Sequence, residues 1–247
     1  MSFRNFVDKI KRYFWFQKDE LSGFLITVFV VAFIFSFTDW GTDKFDVVVG
    51  ISNLSVAVFI VAISIFVHHA VQRLVALWYG FRAEHILWWQ GLTVSSLLAI
   101  FSNGKIKLLP GSALMIHHLP IHRLGAYRYG PGLKAFSTIS ALGPFANLVF
   151  STIVRVIGDV FFPNNVFFLK LYSFNLLFAA YNLLPIPPLD GSRIFYESRL
   201  MYVFVFCAIL GYVILDLVVG LRSYILALVI GVISWFVFYY YFERAWS

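Results

Sequence analysis

The sequence predicts an all-α polytopic membrane protein, with about six transmembrane helices and a re-entrant or short β segment between spans two and three. Of its 247 residues, 61% are hydrophobic and 13% are charged, whereas a soluble globular domain carries about 25% charged residues. The mean hydropathy is +0.84, and several stretches that contain no formal charge reach the roughly 20 residues that cross a hydrocarbon core. A soluble fold of this size cannot bury so much apolar surface, so lipid must cover much of it.

The amino-terminal segment 1–20 mixes basic and aromatic residues, which predicts a cytoplasmic amphipathic helix lying on the membrane surface. Residues 21–247 are predicted to form a single transmembrane domain. Its first span is the apolar run Leu21–Thr38, and its second span, after an acidic loop, is Val47–Val67.

The remaining spans lie in the second half of the chain. Residues 135–154, 171–189 and 223–242 contain no Asp, Glu, Lys or Arg, and each predicts one span. The stretch Leu200–Leu221 predicts another, which Asp216 interrupts. An intramembrane carboxylate is a functional candidate, with a position near the interface as the alternative.

The segment between spans two and three is ambiguous by composition. His85–Gly104 contains no Asp, Glu, Lys or Arg but includes Gln90 and several serines, a composition that allows either a full crossing or a re-entrant element. Residues 105–134 are polar and basic, and the alternating run 105–108 (Lys-Ile-Lys-Leu) suits a short strand.

Charge placement favours the re-entrant interpretation. It puts 15 of the 19 basic residues on the cytoplasmic side, together with both chain termini, as the positive-inside rule prefers. The fifteen are Arg4, Lys9, Lys11, Arg12, Lys18, Arg73, Arg82, Lys105, Lys107, Arg123, Arg128, Lys134, Arg193, Arg199 and Arg244. This topology also brings His68, at the end of the second span, and Asp190, just after the fourth, to one membrane depth.

The net charge of +7 indicates partners of opposite charge. In a membrane protein, Lys and Arg mark cytoplasmic loops and attract anionic lipid, so we expect anionic lipid of the cell membrane as a partner. The soluble regions contain no run of basic residues interleaved with aromatic ones, which argues against nucleic-acid binding. The single cysteine, Cys207, cannot form an intramolecular disulfide.

Three stretches near this depth carry a family resemblance. The first is Phe66–Ala76, the second is Ala141–Leu148 with its Gly-Pro-x-x-Asn pattern, and the third, the most specific, is Asn182–Gly191, which reads Asn-Leu-Leu-Pro-Ile-Pro-Pro-Leu-Asp-Gly. Together they resemble the site-2 protease family of intramembrane zinc metalloproteases, over about residues 60–195. No stretch resembles an inserted PDZ domain, so the likeness is to the short prokaryotic and archaeal members.

The resemblance implies roles for particular residues. Asp190 matches the family's aspartate zinc ligand, and Gly143, Asn147, Asn182 and Pro185 match positions that handle the substrate. From the residues alone, Asp190 could instead cap a turn or the following helix. Asn147 and Gly143 could simply serve an interhelical hydrogen bond and a close helix approach.

The family's first motif, His-Glu-x-x-His, is degraded in this chain. Two histidines at i and i+4 hold zinc on one helix face, and the glutamate activates water. Here the aligned residues are His68-His69-Ala70-Val71-Gln72, so His69 stands at the general-base position and Gln72 at the second ligand position. Because a glutamine is a poor zinc ligand, His68 and Asp190 remain as two strong ligands where catalytic zinc usually has three.

Histidines elsewhere could restore a third ligand. His85, His117, His118 and His122 all lie in the segment expected near the site, although Pro120 makes a regular helix around the last two unlikely to form. The alternative is that these side chains lie at the interface or bind carbonyl groups.

These observations predict a catalytically impaired site-2 protease homologue, a pseudoprotease that binds transmembrane segments of other proteins, either with or without bound zinc. The alternative is an active but atypical zinc metalloprotease in which a histidine from 85–122 completes the metal site. A transporter would need polar groups strung across the membrane or paired broken helices, and the sequence displays neither.

Overall fold

The computed structural model describes residues 3–41, 44–119, 132–220 and 222–244. Within these ranges the fold is mostly helical. Its elements are α1 (Phe3–Tyr13), α2 (Lys18–Phe35), α3 (Val47–Tyr79), β1 (Phe81–Ile86), α4 (Trp89–Phe101), β2 (Ala113–His118), α5 (Leu133–Phe161), α6 (Val166–Asn182), α7 (Asp190–Glu197), α8 (Arg199–Leu217), α9 (Tyr224–Phe238) and a terminal π-helical turn (Tyr239–Glu243).

In the part of the chain that the structure describes, four helices are long and apolar enough to cross a membrane: α3, α5, α8 and α9 with its π-helical turn. The predicted count of about six would add α2, whose first turn contains Lys18, Asp19 and Glu20, and α6, which has 17 residues. Those two crossings remain predictions. The chain is a membrane protein, since side chains such as Ile225 and Phe236 on α9 are 76% and 60% exposed and need lipid around them.

Helix α3 is much longer than the predicted second span. It begins where the Asp46 carboxylate accepts hydrogen bonds from the amides of Val48 and Val49, at 2.8 and 3.2 Å. It ends at Gly80, whose φ of 86° is the left-handed conformation that glycine adopts readily. Its 33 residues reach about 50 Å at 1.5 Å per residue, so the motif around His68 lies inside the helix and not at its end.

The helices share an apolar core, and their polar groups gather at two ends. Ile34 of α2, Ile60 of α3 and Phe174 of α6 are fully buried in that core. We call the end that contains Asp190 and β1 the site end, and the opposite end, where Lys170 pairs with Asp39 at 2.6 Å, the far end.

Strands β1 and β2 form a two-stranded antiparallel sheet at the site end, which confirms a short β segment between α3 and α5. Ile86 pairs with Ala113 in this sheet, so the chain leaves and returns at one place. The strand is not at 105–108, where the alternating pattern predicted one. It lies at 113–118, because β1 supplies a partner there.

Between the two strands the chain travels far from the sheet. Gly23, near the start of α2, lies against Leu87, and Gly104 packs against Phe37 and Thr38 beyond the other end of α2. Helix α4 therefore runs alongside α2, and residues 105–112 bring the chain back.

The charge argument placed Lys107 on the same side of the membrane as Arg73, whereas the structure puts the two residues at opposite ends of the helices. Lys107 Nζ donates to the Phe35 carbonyl and to Thr38 Oγ1, both at 2.9 Å, at the far end. The physical reason is that α4 carries the chain along the whole of α2 before residue 107 is reached.

The far end is closed by a set of polar contacts, which we call the far-end ring. Asp159 meets Arg155 Nε at 3.0 Å and Arg222 Nη1 at 3.2 Å. Asp216 meets Arg222 Nε at 3.2 Å and accepts a 2.7 Å hydrogen bond from the Tyr172 hydroxyl, and the Arg155 guanidinium lies 5.4 Å from the Tyr172 ring. Asp216 thus lies among charged groups near a helix end, as the interfacial alternative expected.

Candidate functional site

The predicted meeting of His68 and Asp190 is confirmed. His68 Nε2 lies 2.9 Å from Asp190 Oδ2, across 122 positions of sequence. Both residues are 4% exposed. We call these two residues, together with Gln72, His85 and Asn147, the site cluster.

Asp190 is positioned by a tight turn between α6 and α7. Gly191 packs against the carbonyl groups of Leu183 and Leu184 so closely that a β-carbon there would overlap them. The turn therefore holds Asp190 at the first position of α7. Its two carboxylate oxygens point at side chains of α3, so its main contacts are those of a site residue and not of a helix cap.

Gln72 joins the cluster from the same face of α3 as His68, since residues four apart in a helix are neighbours. Its Nε2 donates to Asp190 Oδ1 at 2.9 Å, and its Oε1 lies 2.9 Å from His85 Nε2. At 1% exposure, the amide makes both contacts away from solvent. Gln72 thus links α3 to α7 and to β1.

Asn147 fixes the orientation of the His68 ring. Its Nδ2 donates to the Ser64 carbonyl at 3.0 Å and to Asn175 Oδ1 at 2.8 Å, so its Oδ1 faces His68 Nδ1, at 2.7 Å. An oxygen in that place needs a donor, which assigns the proton to Nδ1 and directs Nε2 toward Asp190. Asn175 is held in turn by its hydrogen bond to Ser64 Oγ, at 2.9 Å.

His69 lies on the neighbouring face of α3. Its Nε2 is 2.9 Å from Ser112 Oγ, and its ring stacks on His85 with centroids 3.5 Å apart and planes 16° from parallel. Its Nδ1 is buried, and no hydrogen-bond partner for it lies among the residues that the structure describes. The proposed role of His69 as a general base stays a prediction.

The candidate third ligands are dispersed. His85 reaches the cluster through Gln72, whereas His117 is half-exposed and pairs with Glu84 at 3.4 Å. His118 lies at the end of β2, in register with Phe81. His122 and Pro120 lie outside the described residues.

The positions assigned to substrate handling surround the cluster. A β-carbon on Gly143 would come within 2.5 Å of both His68 Nε2 and Gln72 Nε2, so only glycine fits there without displacing them. Asn182 donates to the Phe178 carbonyl at 2.8 Å, and Gly111 packs directly against its side chain. Pro185 is exposed in the turn before α7. Their roles toward a substrate stay predictions.

An apolar cavity of about 230 Å³ lies between α4, the returning segment and the turn before α7. It is lined by residues that include Trp88, Val94, Leu109, Tyr181 and Leu189. Leu189 immediately precedes Asp190 in the chain, so one wall of the cavity belongs to the turn that carries Asp190.

A buried ion pair contacts the backbone of His85, a member of the site cluster. Arg73 Nη2 donates to Glu20 Oε1 at 2.8 Å, with both side chains under 10% exposed. The same oxygen accepts from the His85 amide at 3.0 Å, and Arg73 Nη1 donates to the Phe14 carbonyl at 2.7 Å. The pair therefore ties the amino-terminal segment to β1 and α3.

Arg193 of α7 provides positive charge near the cluster. Burial lowers the pKa of its guanidinium, and the Asp190 carboxylate opposes that shift. Its Nη2 donates to the Leu114 carbonyl of β2, which connects α7 to the sheet.

The donor set does not fit a catalytic zinc ion. Such an ion takes three protein ligands from His, Cys, Asp or Glu, and here the third place beside His68 and Asp190 holds the Gln72 amide. Among the described residues, no group of three or more such side chains is placed to hold a metal ion.

Sequence reasoning missed several members of this network, namely Ser64, Asn175, Ser112 and Glu20. Helical spacing was a usable signal for two of them. Ser64 lies four residues before His68, and Asn175 lies seven before Asn182, so each shares a face with a motif residue. Ser112 lies in the 85–122 segment that was expected near the site, although nothing singled out the residue itself, and no local pattern predicted that Glu20 approaches the site.

Comparison with known proteins adds one relative. A protein of Methanocaldococcus jannaschii named "Putative zinc metalloprotease" is 24% identical over 209 residues, which cover 81% of this chain and 96% of that protein. No protein-family profile matches the chain, and no solved structure matches it with significance. The chain is therefore similar to a metalloprotease along most of its length.

Proposed function

We propose that this chain is a site-2 protease-like pseudoprotease, which binds transmembrane segments of other proteins without hydrolysing them. The observation that carries the proposal is the pair of hydrogen bonds at the Gln72 amide, which donates to Asp190 through Nε2 and accepts from His85 through Oε1. They occupy the position where an active enzyme needs a third metal ligand. Similarity to a zinc metalloprotease along 81% of the chain supports the ancestral fold.

Loss of the glutamate supports the same conclusion. General acid–base catalysis supplies about 10²–10⁴-fold in rate, and the residue at that position, His69, hydrogen-bonds to Ser112 and stacks on His85. A base held in those contacts is not directed between His68 and Asp190.

The proposed partner is an apolar transmembrane helix that places a large side chain in the cavity beside Leu189. The cavity volume of about 230 Å³ exceeds that of a single water many-fold, and its apolar lining suits a group of the hydrocarbon core. The exposed Pro185 would then lie on the path of that helix. The buried Gly143, Asn147 and Asn182 would shape the helices beneath it.

The proposal places the chain in the cell membrane with both termini cytoplasmic. Exposed basic residues of α1, namely Arg4, Lys11 and Arg12, face away from α3, onto which Phe6 packs against Trp78 at 5.2 Å. Helix α1 would lie on the inner leaflet and bind anionic lipid there.

Binding and cleavage can be measured together in proteoliposomes. A labelled single-span peptide is co-reconstituted with the protein, proximity is followed by energy transfer, and cleavage by gel. We expect saturable binding and an intact peptide. Val94→Trp, which fills the cavity, should weaken binding by about tenfold, or roughly 1.4 kcal/mol. Leu97→Trp, on the same helix but outside the cavity lining, is the matched control and should bind normally.

Two results would contradict this function. Cleavage that disappears in Asp190→Ala would identify an active, atypical metalloprotease. Binding that is equal in Val94→Trp and Leu97→Trp would remove the cavity from the recognition site. Ion flux measured in the same vesicles tests the transporter alternative.

A further inference from the structure

We infer that the Gln72 carboxamide takes the structural place of a cation in this chain, and that Gln72→His alone would turn the site cluster into a three-ligand zinc site. The inference deepens the proposed function and rests on it for the absence of a resident metal. It concerns how the protein holds its site together, which can be tested apart from partner binding.

The first step is convergence on one carboxylate. His68 Nε2 and Gln72 Nε2 each lie 2.9 Å from Asp190, one from each of its oxygens. The two α3 side chains are one helical turn apart, the spacing with which a pair of histidines holds zinc. Positions 68, 72 and 190 therefore already surround a common point.

The second step is charge and hydrogen bonding. A carboxylate that is 4% exposed needs donors or a cation, because burial without either is costly. His68 Nδ1 is committed to Asn147, so the amide of Gln72 supplies the additional N–H group. It joins α3 to α7, the two elements that an ion held by positions 68, 72 and 190 would otherwise join, and its Oε1 also reaches His85 of β1.

The third step is that this arrangement disfavours a cation. The Gln72 Nε2 group presents protons to Asp190, and only its Oε1 could coordinate a metal. Turning Oε1 toward Asp190 would break the hydrogen bond to His85 and place two acceptor oxygens together. Metal entry would thus cost two buried hydrogen bonds.

The fourth step is the effect of a histidine at 72. Its imidazole would bring a lone pair beside His68 and Asp190, which completes the His, His and carboxylate set of known catalytic zinc sites. Room exists on that side, because Gly143 has no side chain where a β-carbon would lie 2.5 Å from both nitrogens.

The experiment compares the purified full-length wild type with Gln72→His after exposure to zinc and removal of free metal. Elemental analysis should find little zinc in the wild type and about one ion per chain in Gln72→His. Zinc should raise the Tm of that variant by roughly 5–10 °C, and a chelator should reverse the rise. Gln90→His, which adds a histidine on exposed α4, is the matched control and should match the wild type.

Two further variants define the ligands. Gln72→His with His68→Ala should lose the zinc again. Gln72→Glu sets a second carboxylate against Asp190, so we expect a Tm below that of the wild type and recovery on adding zinc. This variant keeps the test decisive if Gln72→His does not fold.

A wild type that holds one zinc ion per chain would overturn the inference, and so would a folded Gln72→His variant with no more zinc than Gln90→His. If the peptide binding described above persists while these variants remain free of zinc, the inference fails and the proposed function stands. If binding is lost while Gln72→His takes up zinc, the reverse holds.

Discussion

The far-end ring and the site cluster pair their charged groups in different ways. The far-end ring joins three helices with arginine and aspartate pairs, of which Arg222 and Asp159 are about half exposed. The site cluster uses one carboxylate among imidazoles and amides that are all buried. Within the described residues, the buried polar side-chain atoms that lack a partner belong to His69, Arg73, His85, Ser140 and Arg193, which all lie at the site end.

This difference is one of hydrogen-bond satisfaction. Buried polar groups are normally satisfied, and in the described part of the far-end ring each charged group has an opposite partner. The site end keeps unused hydrogen-bonding capacity, such as Nδ1 of both stacked histidines. Under the proposed function, a group of the partner would use this capacity.

The largest expected effect is at the site end. Asp190→Ala removes the acceptor of the Gln72 amide and the carboxylate beside His68 Nε2. Each buried polar group left without a partner costs about 1–3 kcal/mol, so we expect a loss of about 2–6 kcal/mol in the free energy of unfolding. Denaturation in detergent micelles measures this loss. Asp190→Asn, which keeps the shape, should lose less. An Asp190→Ala protein as stable as Asp159→Ala would erase the contrast between the two clusters.

A smaller effect is expected from Asp216→Ala in the far-end ring. It removes the acceptor of the Tyr172 hydroxyl and one partner of Arg222, which costs about 1–3 kcal/mol. Arg222 keeps Asp159, and peptide binding should stay unchanged because the residue lies far from the site. Adding Tyr172→Phe to Asp216→Ala removes the hydroxyl that lost its acceptor, so the double variant should regain part of the lost stability in the same denaturation experiment. Weakened peptide binding in Asp216→Ala would give the far end a functional role.

The smallest effect belongs to the exposed pair. Asp159→Ala should change the free energy of unfolding by no more than about 0.5 kcal/mol, because half-exposed ion pairs contribute little. The difference from the wild type should shrink further as salt is raised from low to high ionic strength. A large, salt-independent loss would show that this pair acts as a buried one.

Much of the architecture followed from patterns along the chain. Long uncharged runs predicted α3, α5, α8 and α9, because the apolar length that crosses lipid is visible in sequence. The path of residues 87–112 was harder. Its composition suited either a crossing or a return, and only the pairing of Ile86 with Ala113 fixes the return. The charge rule then misplaced Lys107 relative to Arg73, because a lysine can bind carbonyl groups at a helix end as well as lipid.

Site residues that belong to a motif could be predicted from the sequence, whereas contacts that depend on the tertiary fold could not. His68, Gln72, Asn147 and Asp190 were identified through the resemblance, and the fold brings them together. The contact of Gln72 with His85 depends on how β1 is held by Glu20, which no local spacing encodes. Whether these residues hold a metal or a partner is set by chemistry that the spacing alone does not determine.

Gly143 has a consequence for how this protein tolerates mutation. It bears no chemical group, yet any side chain there would press on His68 and Gln72 together. In a saturation library scored for partner binding, position 143 should therefore accept glycine alone and rank beside the ionisable residues. Such an experiment would show that the space left free at Gly143 is as intolerant of substitution as a charged residue.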